Sequence, residues 1–184
     1  VRADLHDVAH LPDLAQAALA RFGRLDVLVN NASTFYPTPV GSITLQQFDD
    51  LIGTNLRAPL FLSQAAAPAL RESRGLIINM VDIHGRRPLK AHPVYSSAKA
   101  GLIMLTRSLA RELGPEIRVN GIAPGPVLWP ERDLDGALKE EIVARTALKR
   151  SGSPDDIASA ALFFAAEAPY VTGQVIAVDG GRSL

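Results

Sequence analysis

The sequence contains no cysteine, which excludes disulfide bonds and thiolate chemistry. Neither sign of charge is in excess, because 19 basic residues balance 19 acidic ones, and this disfavours a nucleic-acid partner. No apolar run reaches the roughly 20 residues that a membrane-spanning helix needs. Four histidines (His6, His10, His84 and His92) lack the spacing of metal ligands, so no metal site is predicted. The simplest prediction is a cytoplasmic protein that binds neither nucleic acid nor membrane.

What the chain does contain is an alternation of short apolar segments with longer amphipathic ones. Its 184 residues suffice for one domain with a buried core, which we expect to span residues 1–184. The predicted strands are LDVLVNNA, GLIINMV, IRVNGIAPG and GQVIAVDGG. The predicted helices are HLPDLAQAALARFG, the long segment from ITLQQ to LRES, VYSSAKAGLIMLTRSLAREL and SPDDIASAALFFAAEA. This order predicts an α/β fold with a doubly wound, Rossmann-like parallel sheet.

Several local signals sharpen this prediction. Gly23 is expected to end the first helix, Thr44 and Gln47 to form a capping box, and Ser153 to cap the last helix. The near-continuous apolar run LDVLVNNA predicts a strand that is buried on both faces. Residues 129–150 are interpreted as a mobile, partly helical insertion.

One expected part of such a sheet is missing. A dinucleotide-binding sheet opens with a strand, a glycine-rich turn and a helix, whose N–H groups hold the pyrophosphate. This sequence lacks that turn and begins with VRADLHD, which we interpret as the end of another strand. We therefore expect the chain to be a fragment without the N-terminal β-α-β part of the sheet.

A tyrosine and a lysine, Tyr95 and Lys99, stand one helical turn apart in YSSAK. A phenol has a pKa of about 10 in water. A nearby ammonium favours the phenolate, so Lys99 is predicted to lower the pKa of Tyr95 and make it a general acid. The spacing alone is a weak signal, since any helix can carry such a pair.

Two further polar residues are candidates for the same chemistry. Asn55 lies inside the long predicted helix, and Pro59 lacks the N–H that would bond its carbonyl. The freed carbonyl could hold a water that meets Lys99, or the proline could simply kink a surface helix. Asp82 ends an apolar run, where it could serve the reaction or merely cap the following loop.

The chain resembles the short-chain dehydrogenase/reductase family over almost its whole length. The matching segments are ADL, DVLVNNAS, NLRAP, YSSAK, IRVNGIAPGP and VTGQVIAVDGG. The resemblance implies a nicotinamide cofactor and a catalytic tetrad of Asn, Ser, Tyr and Lys. Asn55, Tyr95 and Lys99 match three members, whereas Asp82 stands where the family usually has Ser.

The departures resemble one branch of that family, the bacterial pteridine reductases. Asp82 replaces Ser, Ser33 replaces the usual Gly, and Phe35 follows NNAS at the position that stacks on the pterin. The resemblance implies NADPH as cofactor, a pterin or folate as substrate, and a homotetramer. A carboxylate repels a developing alkoxide but can accept from a pterin N–H or, if protonated, share a proton with Tyr95.

The resemblance also assigns roles to individual residues. The residues expected to be catalytic are Tyr95, Lys99, Asp82 and Asn55. Those expected to bind the cofactor are Asp4, Leu5, Asn31, Ala32, Ser33, Tyr95, Lys99, Pro124 and Gly125. Those expected to bind the substrate are Ser33, Phe35, Asp82, Tyr95 and Trp129. The alternatives are a carbonyl reductase of the 3-oxoacyl type that carries Asp, and a non-catalytic nucleotide-sensing or structural subunit.

Overall fold

A computed structural model describes residues 1–127 and 135–184. Its centre is a parallel sheet whose strands lie side by side in chain order. The strands are β1 (Val27–Asn30), β2 (Leu76–Met80), β3 (Arg118–Pro124) and β4 (Val175–Val178). Each falls inside a predicted apolar segment, so the four predicted strands are confirmed.

The helices connect these strands. They are α1 (Leu11–Phe22), α2 (Leu45–Ile52), α3 (Ala58–Ser73), α4 (Pro93–Leu113), α5 (Gly136–Ala144) and α6 (Pro154–Leu162). The predicted signals hold: Gly23 ends α1 in the left-handed conformation, and both Thr44 and Ser153 form capping boxes. Short 3₁₀ turns cover Val8–His10 and Ile83–Gly85.

Both faces of the sheet are covered by helices, because its central strands are apolar on both sides. Ile77 and Val119 pack towards α3 and α4, where they meet Leu70 and Leu113. Successive side chains of a strand point to opposite faces of the sheet. Leu76, Ile78 and Ile122 therefore face the other side, where they pack around Phe164. The doubly wound α/β arrangement is therefore confirmed.

Phe164 fills the core on the α6 side and gives a test of this packing. Its side chain is only 1% exposed and contacts the β2 and β3 residues of that face. We expect Phe164→Ala to lower the free energy of unfolding by about 3–5 kcal/mol, measured by urea titration. Phe163→Ala is the matched control, because that ring is 42% exposed and its loss should cost about 1 kcal/mol or less. Equal losses in the two variants would contradict the assigned core.

Two strand predictions are wrong. The strand β1 is not buried on both faces, since Val27 and Val29 are 37% and 45% exposed. It lies at the edge of the four-stranded sheet and pairs only with β2. Residues 1–7 form no strand, because no strand of the described sheet runs beside them to supply ladder hydrogen bonds.

The long predicted helix is divided by a π-helical turn. The turn spans Gly53–Arg57 and separates α2 from α3. Pro59 cannot donate an N–H to the carbonyl four residues earlier, and the N–H of Ala58 reaches back five residues to Gly53. Asn55 therefore lies on a widened turn, where its side chain is only 1% exposed.

Candidate active site

The predicted site residues meet at the carboxyl end of the sheet. Asn31 follows β1, Asp82 follows β2, and Pro124 with Gly125 ends β3. Parallel strands end at one edge, and ligands of doubly wound sheets bind there. Helix α4 starts above the same edge and supplies the tyrosine and the lysine.

Asp82 and Tyr95 form a direct pair. The Tyr95 hydroxyl donates to Oδ2 of Asp82 over 2.8 Å. The other carboxylate oxygen, Oδ1, accepts from the backbone N–H of His84 over 2.7 Å and so caps the short 3₁₀ turn. The capping reading and the pairing with tyrosine are thus both observed, one on each oxygen.

Lys99 lies beneath this pair and is almost completely buried. Its ammonium donates to the backbone carbonyl of Met80 over 2.9 Å, at the end of β2. The Lys99 nitrogen is 5.6 Å from the centre of the Tyr95 ring. The lysine therefore stands close to the phenol without a direct hydrogen bond to the hydroxyl.

The prediction that Lys99 lowers the pKa of Tyr95 is wrong for this arrangement. Burial, followed by the charge and hydrogen bond of Asp82, raises the pKa of Tyr95 well above its usual value. The Ser33 hydroxyl opposes this with a smaller effect. Burial alone disfavours the phenolate, and Asp82 adds to the shift because it contacts the hydroxyl directly, whereas Lys99 does not.

Lys99 gives a testable pH dependence. Burial lowers its pKa to about 8, and the negative charge of Asp82 partly offsets this shift. If the ammonium is required, kcat/KM falls as pH rises through about 8, where the proton is lost. We expect Asp82→Asn to move this alkaline limb to lower pH, because it removes the charge that raises the lysine pKa. The control Asp49→Asn changes an exposed carboxylate and should leave the alkaline limb in place. An alkaline limb that also stays in place in Asp82→Asn would contradict the assignment to Lys99.

Asn55 holds the loop that follows β1. Its side-chain amide donates to the carbonyls of Leu51 and Thr34 over 2.9 and 3.0 Å. Its oxygen accepts from the Ser33 hydroxyl over 2.6 Å. Asn55 thereby fixes Ser33 near Tyr95, while the proposed water on its carbonyl stays a prediction.

Phe35 lies against Tyr95 at the edge of the candidate site. Its ring meets Tyr95 edge-on, with centroids 4.8 Å apart and planes at 75°. The ring of His92 stacks on Phe35 at 4.8 Å, with planes only 10° apart. Sequence reasoning missed His92, whose only signal is its position directly before α4.

Three of the residues predicted to bind the cofactor lie together, and two others lie apart from them. Leu5, Asn31 and Ala32 line one cavity of about 200 Å³ beside the end of β1. Gly125 lies against Asp179, since a Cβ there would come within 2.6 Å of it. Asp4 is exposed and accepts from the His6 N–H over 2.9 Å. Trp129 lies outside the described residues.

A buried polar chain, which the sequence did not reveal, fixes the strand ends beneath the site. Asn30 donates to Asn79, its partner in the β1–β2 register, over 2.8 Å. Asn79 donates to Thr106 of α4 over 2.9 Å, and Thr106 donates to the Leu102 carbonyl. Because each member has a partner, the chain ties β1, β2 and the tyrosine-bearing helix together.

Two features are absent from the described residues. Within 1–127 and 135–184, no helix is long and apolar enough to cross a bilayer. In the same part of the chain, no three His, Asp or Glu side chains are arranged to hold a metal ion.

The fold and site define a class, a doubly wound oxidoreductase that uses a nicotinamide cofactor. The family profile described as "Enoyl-(Acyl carrier protein) reductase" matches residues 1–183. The chain belongs to the short-chain dehydrogenase/reductase family.

Named relatives agree with this assignment. The chain is 37% identical to the 3-oxoacyl-[acyl-carrier-protein] reductase FabG of Staphylococcus aureus, over 98% of this chain and 75% of that protein. It is 38% identical to pteridine reductase 1 of Leishmania tarentolae, over 93% of this chain and 67% of the relative. A solved structure of a blue fluorescent protein from a metagenomic library, in complex with NADPH, superposes with a TM-score of 0.90 at 36% identity. The superposition covers 99% of this chain and 74% of that one.

Proposed function

We propose that the protein reduces pterins, of the dihydropterin, dihydrobiopterin or dihydrofolate kind, with hydride from NADPH. The observation that carries this proposal is the hydrogen bond from Tyr95 to Asp82, a carboxylate at the place where the family usually has a serine. Phe35 supports it, because its ring lies against Tyr95 and remains 45% exposed.

The chemistry needs one hydride and one proton. The hydride adds to the carbon of a C=N bond in the pterin ring, and the proton adds to the nitrogen. Tyr95 supplies that proton. The positive charge of Lys99, 5.6 Å from the centre of the Tyr95 ring, offsets part of the cost of the phenolate that remains, but it does not outweigh burial and Asp82. Asp82 accepts from the Tyr95 hydroxyl and so holds the tyrosine oxygen in place at the end of β2.

Asp82 also favours a nitrogen heterocycle over a ketone. Reduction of a ketone develops negative charge on oxygen, which a nearby carboxylate repels at short range. A pterin instead presents N–H groups, from which the carboxylate can accept hydrogen bonds. Phe35 would hold the flat ring against the nicotinamide, with Ser33 at its edge.

A 3-oxoacyl reductase is the second candidate. The relatives support it as well as they support a pterin reductase, because FabG is 37% identical over 98% of this chain and pteridine reductase 1 is 38% identical over 93% of it. This difference is too small to separate the two substrates. Our preference for a pterin therefore rests on Asp82 and Phe35.

The cofactor assignment has its own support in the site. The cavity lined by Leu5, Asn31 and Ala32 suits the adenosine end, and Lys99 would hold the nicotinamide ribose. Bound NADPH supplies the hydride, and NADPH rather than NADH is a prediction from the pteridine reductase branch. We also propose a homotetramer in the cytoplasm.

The proposed substrate is tested by steady-state kinetics of the intact enzyme. We expect kcat/KM with NADPH to be at least about tenfold higher for dihydrobiopterin than for a 3-oxoacyl thioester or a simple ketone, a gap of about 1.4 kcal/mol. The same assay with NADH gives the cofactor preference. A higher value for the 3-oxoacyl thioester would make the second candidate the function.

A further inference from the structure

A hydrogen-bonded cluster outside the reacting groups centres on Asp50 of α2. One carboxylate oxygen, Oδ2, accepts from the Tyr36 hydroxyl over 2.7 Å. The other oxygen, Oδ1, lies 3.1 Å from Nε2 of His6, and the Thr54 hydroxyl lies 3.1 Å from the same nitrogen. A single carboxylate thus joins the N-terminal segment to the loop after β1.

Each of the other three members of this cluster, the two partners of Asp50 and the Thr54 that contacts His6, is next in the chain to a residue of the candidate site. The neighbouring pairs are Leu5 with His6, Phe35 with Tyr36, and Thr54 with Asn55. The cluster is therefore connected on one side to the cavity assigned to the cofactor, which Leu5 and Thr54 line, and on the other, through Tyr36, to the residue assigned to the pterin.

The contacts around Asp50 are close, but His6 at the N-terminal side keeps a side chain that is 39% exposed and can still be fixed by a ligand. The His6 ring rests on the π-helical turn, where a Cβ on Gly53 would come within 2.7 Å of His6 Nδ1. Partial burial, followed by the Asp50 carboxylate, raises the pKa of Tyr36 to about 12. The Tyr36 phenol consequently stays protonated at neutral pH and keeps donating to Asp50.

We propose that Asp50 is a positioning residue that couples cofactor binding to pterin binding. The inference rests on the proposed function, since it takes Leu5 as a cofactor contact and Phe35 as the stacking residue. An adenosine group beside Leu5 orders His6, and Asp50 transmits that order to Tyr36 and the adjoining Phe35. Linkage then requires that the pterin tighten cofactor binding by the same factor.

The test measures coupling rather than activity. Calorimetry on the intact enzyme gives the Kd of dihydrobiopterin with and without 2′-phospho-ADP-ribose, which has the adenosine end but no nicotinamide to stack on the pterin. We expect about tenfold tighter pterin binding in the wild type, within the usual range for coupled sites, and about twofold or less in Asp50→Ala. The control Asp49→Ala, an exposed carboxylate on the same helix, should keep the tenfold effect.

Removing either hydrogen-bond partner of Asp50 should give the same result. Tyr36→Phe removes the hydroxyl on the pterin side, and His6→Ala removes the ring on the cofactor side. Each should reduce the coupling as Asp50→Ala does, and Tyr36→Phe combined with Asp50→Ala should reduce it no further. If Asp50 were merely structural, Asp50→Ala would weaken the binding of both ligands. The ratio of the pterin Kd without and with 2′-phospho-ADP-ribose would then stay as it is in the wild type.

Two results overturn the inference: coupling that persists in Asp50→Ala, or a wild type in which 2′-phospho-ADP-ribose does not change the pterin Kd. The failure of the proposed function looks different. In that case dihydrobiopterin does not bind the wild type even with saturating NADP⁺, and the coupling inference falls with it.

Discussion

Tyr95→Phe is expected to lower the turnover of dihydrobiopterin by about 10²–10⁴-fold, the usual contribution of a general acid. The variant keeps the ring, which packs with Leu51 and Val94 and against Phe35, and loses only the hydroxyl. The fold and the pterin Kd should therefore change little. Stopped-flow measurement of NADPH oxidation under single-turnover conditions isolates the chemical step.

The control for this variant is Tyr170→Phe, the same substitution at a fully exposed tyrosine. It should leave the rate unchanged. Wild-type turnover in Tyr95→Phe would remove Tyr95 from the mechanism. Lost turnover with a lost thermal transition would show only that the side chain is needed for folding, and circular dichroism of the variant separates these cases.

Asp82→Ser is the second large effect that we expect. Serine is the usual family residue at this position, so the variant keeps a hydroxyl able to pair with Tyr95 but loses the carboxylate. We expect kcat/KM for dihydrobiopterin to fall about 10²-fold, the lower end of an acid–base contribution, while ketone reduction is unchanged or higher. The ratio of the two kcat/KM values is the quantity to measure.

The matched control is Asp49→Ser, which removes an exposed carboxylate from α2. It should leave the ratio of pterin to ketone activity as it is in the wild type. If Asp82→Ser lowers both activities equally, the carboxylate does not select the substrate, and its role is reduced to capping the turn at His84.

The strands and helices followed from the sequence because their signals are local. Thr44 with Gln47 forms the predicted capping box, and Gly23 ends α1 where a left-handed residue is needed. The exposure of Val27 and Val29 could not be predicted in this way. Burial on both faces depends on which strands lie beside β1, and an apolar run does not encode its neighbours.

The sequence allowed the residues of the site to be predicted, but not the contacts between them. Tyr95 and Asp82 were selected from spacing and from the apolar run, and the structure brings them to 2.8 Å. The hydrogen bond of Lys99 to Met80 was not predictable, because the acceptor is a backbone carbonyl and carries no sequence signal. The same limit applies to the pKa of Tyr95, whose direction depends first on how deeply the phenol is buried and then on its contact with Asp82.

The proposed function requires that the Tyr95–Asp82 pair protonate a pterin nitrogen. A crystal structure of the intact enzyme with NADP⁺ and dihydrobiopterin tests this directly. We predict a pterin ring stacked on Phe35, with a ring nitrogen about 2.6–3.2 Å from the Tyr95 oxygen and Asp82 within reach of the same edge. A bound pterin whose ring nitrogens lie beyond hydrogen-bond reach of both side chains would contradict the account.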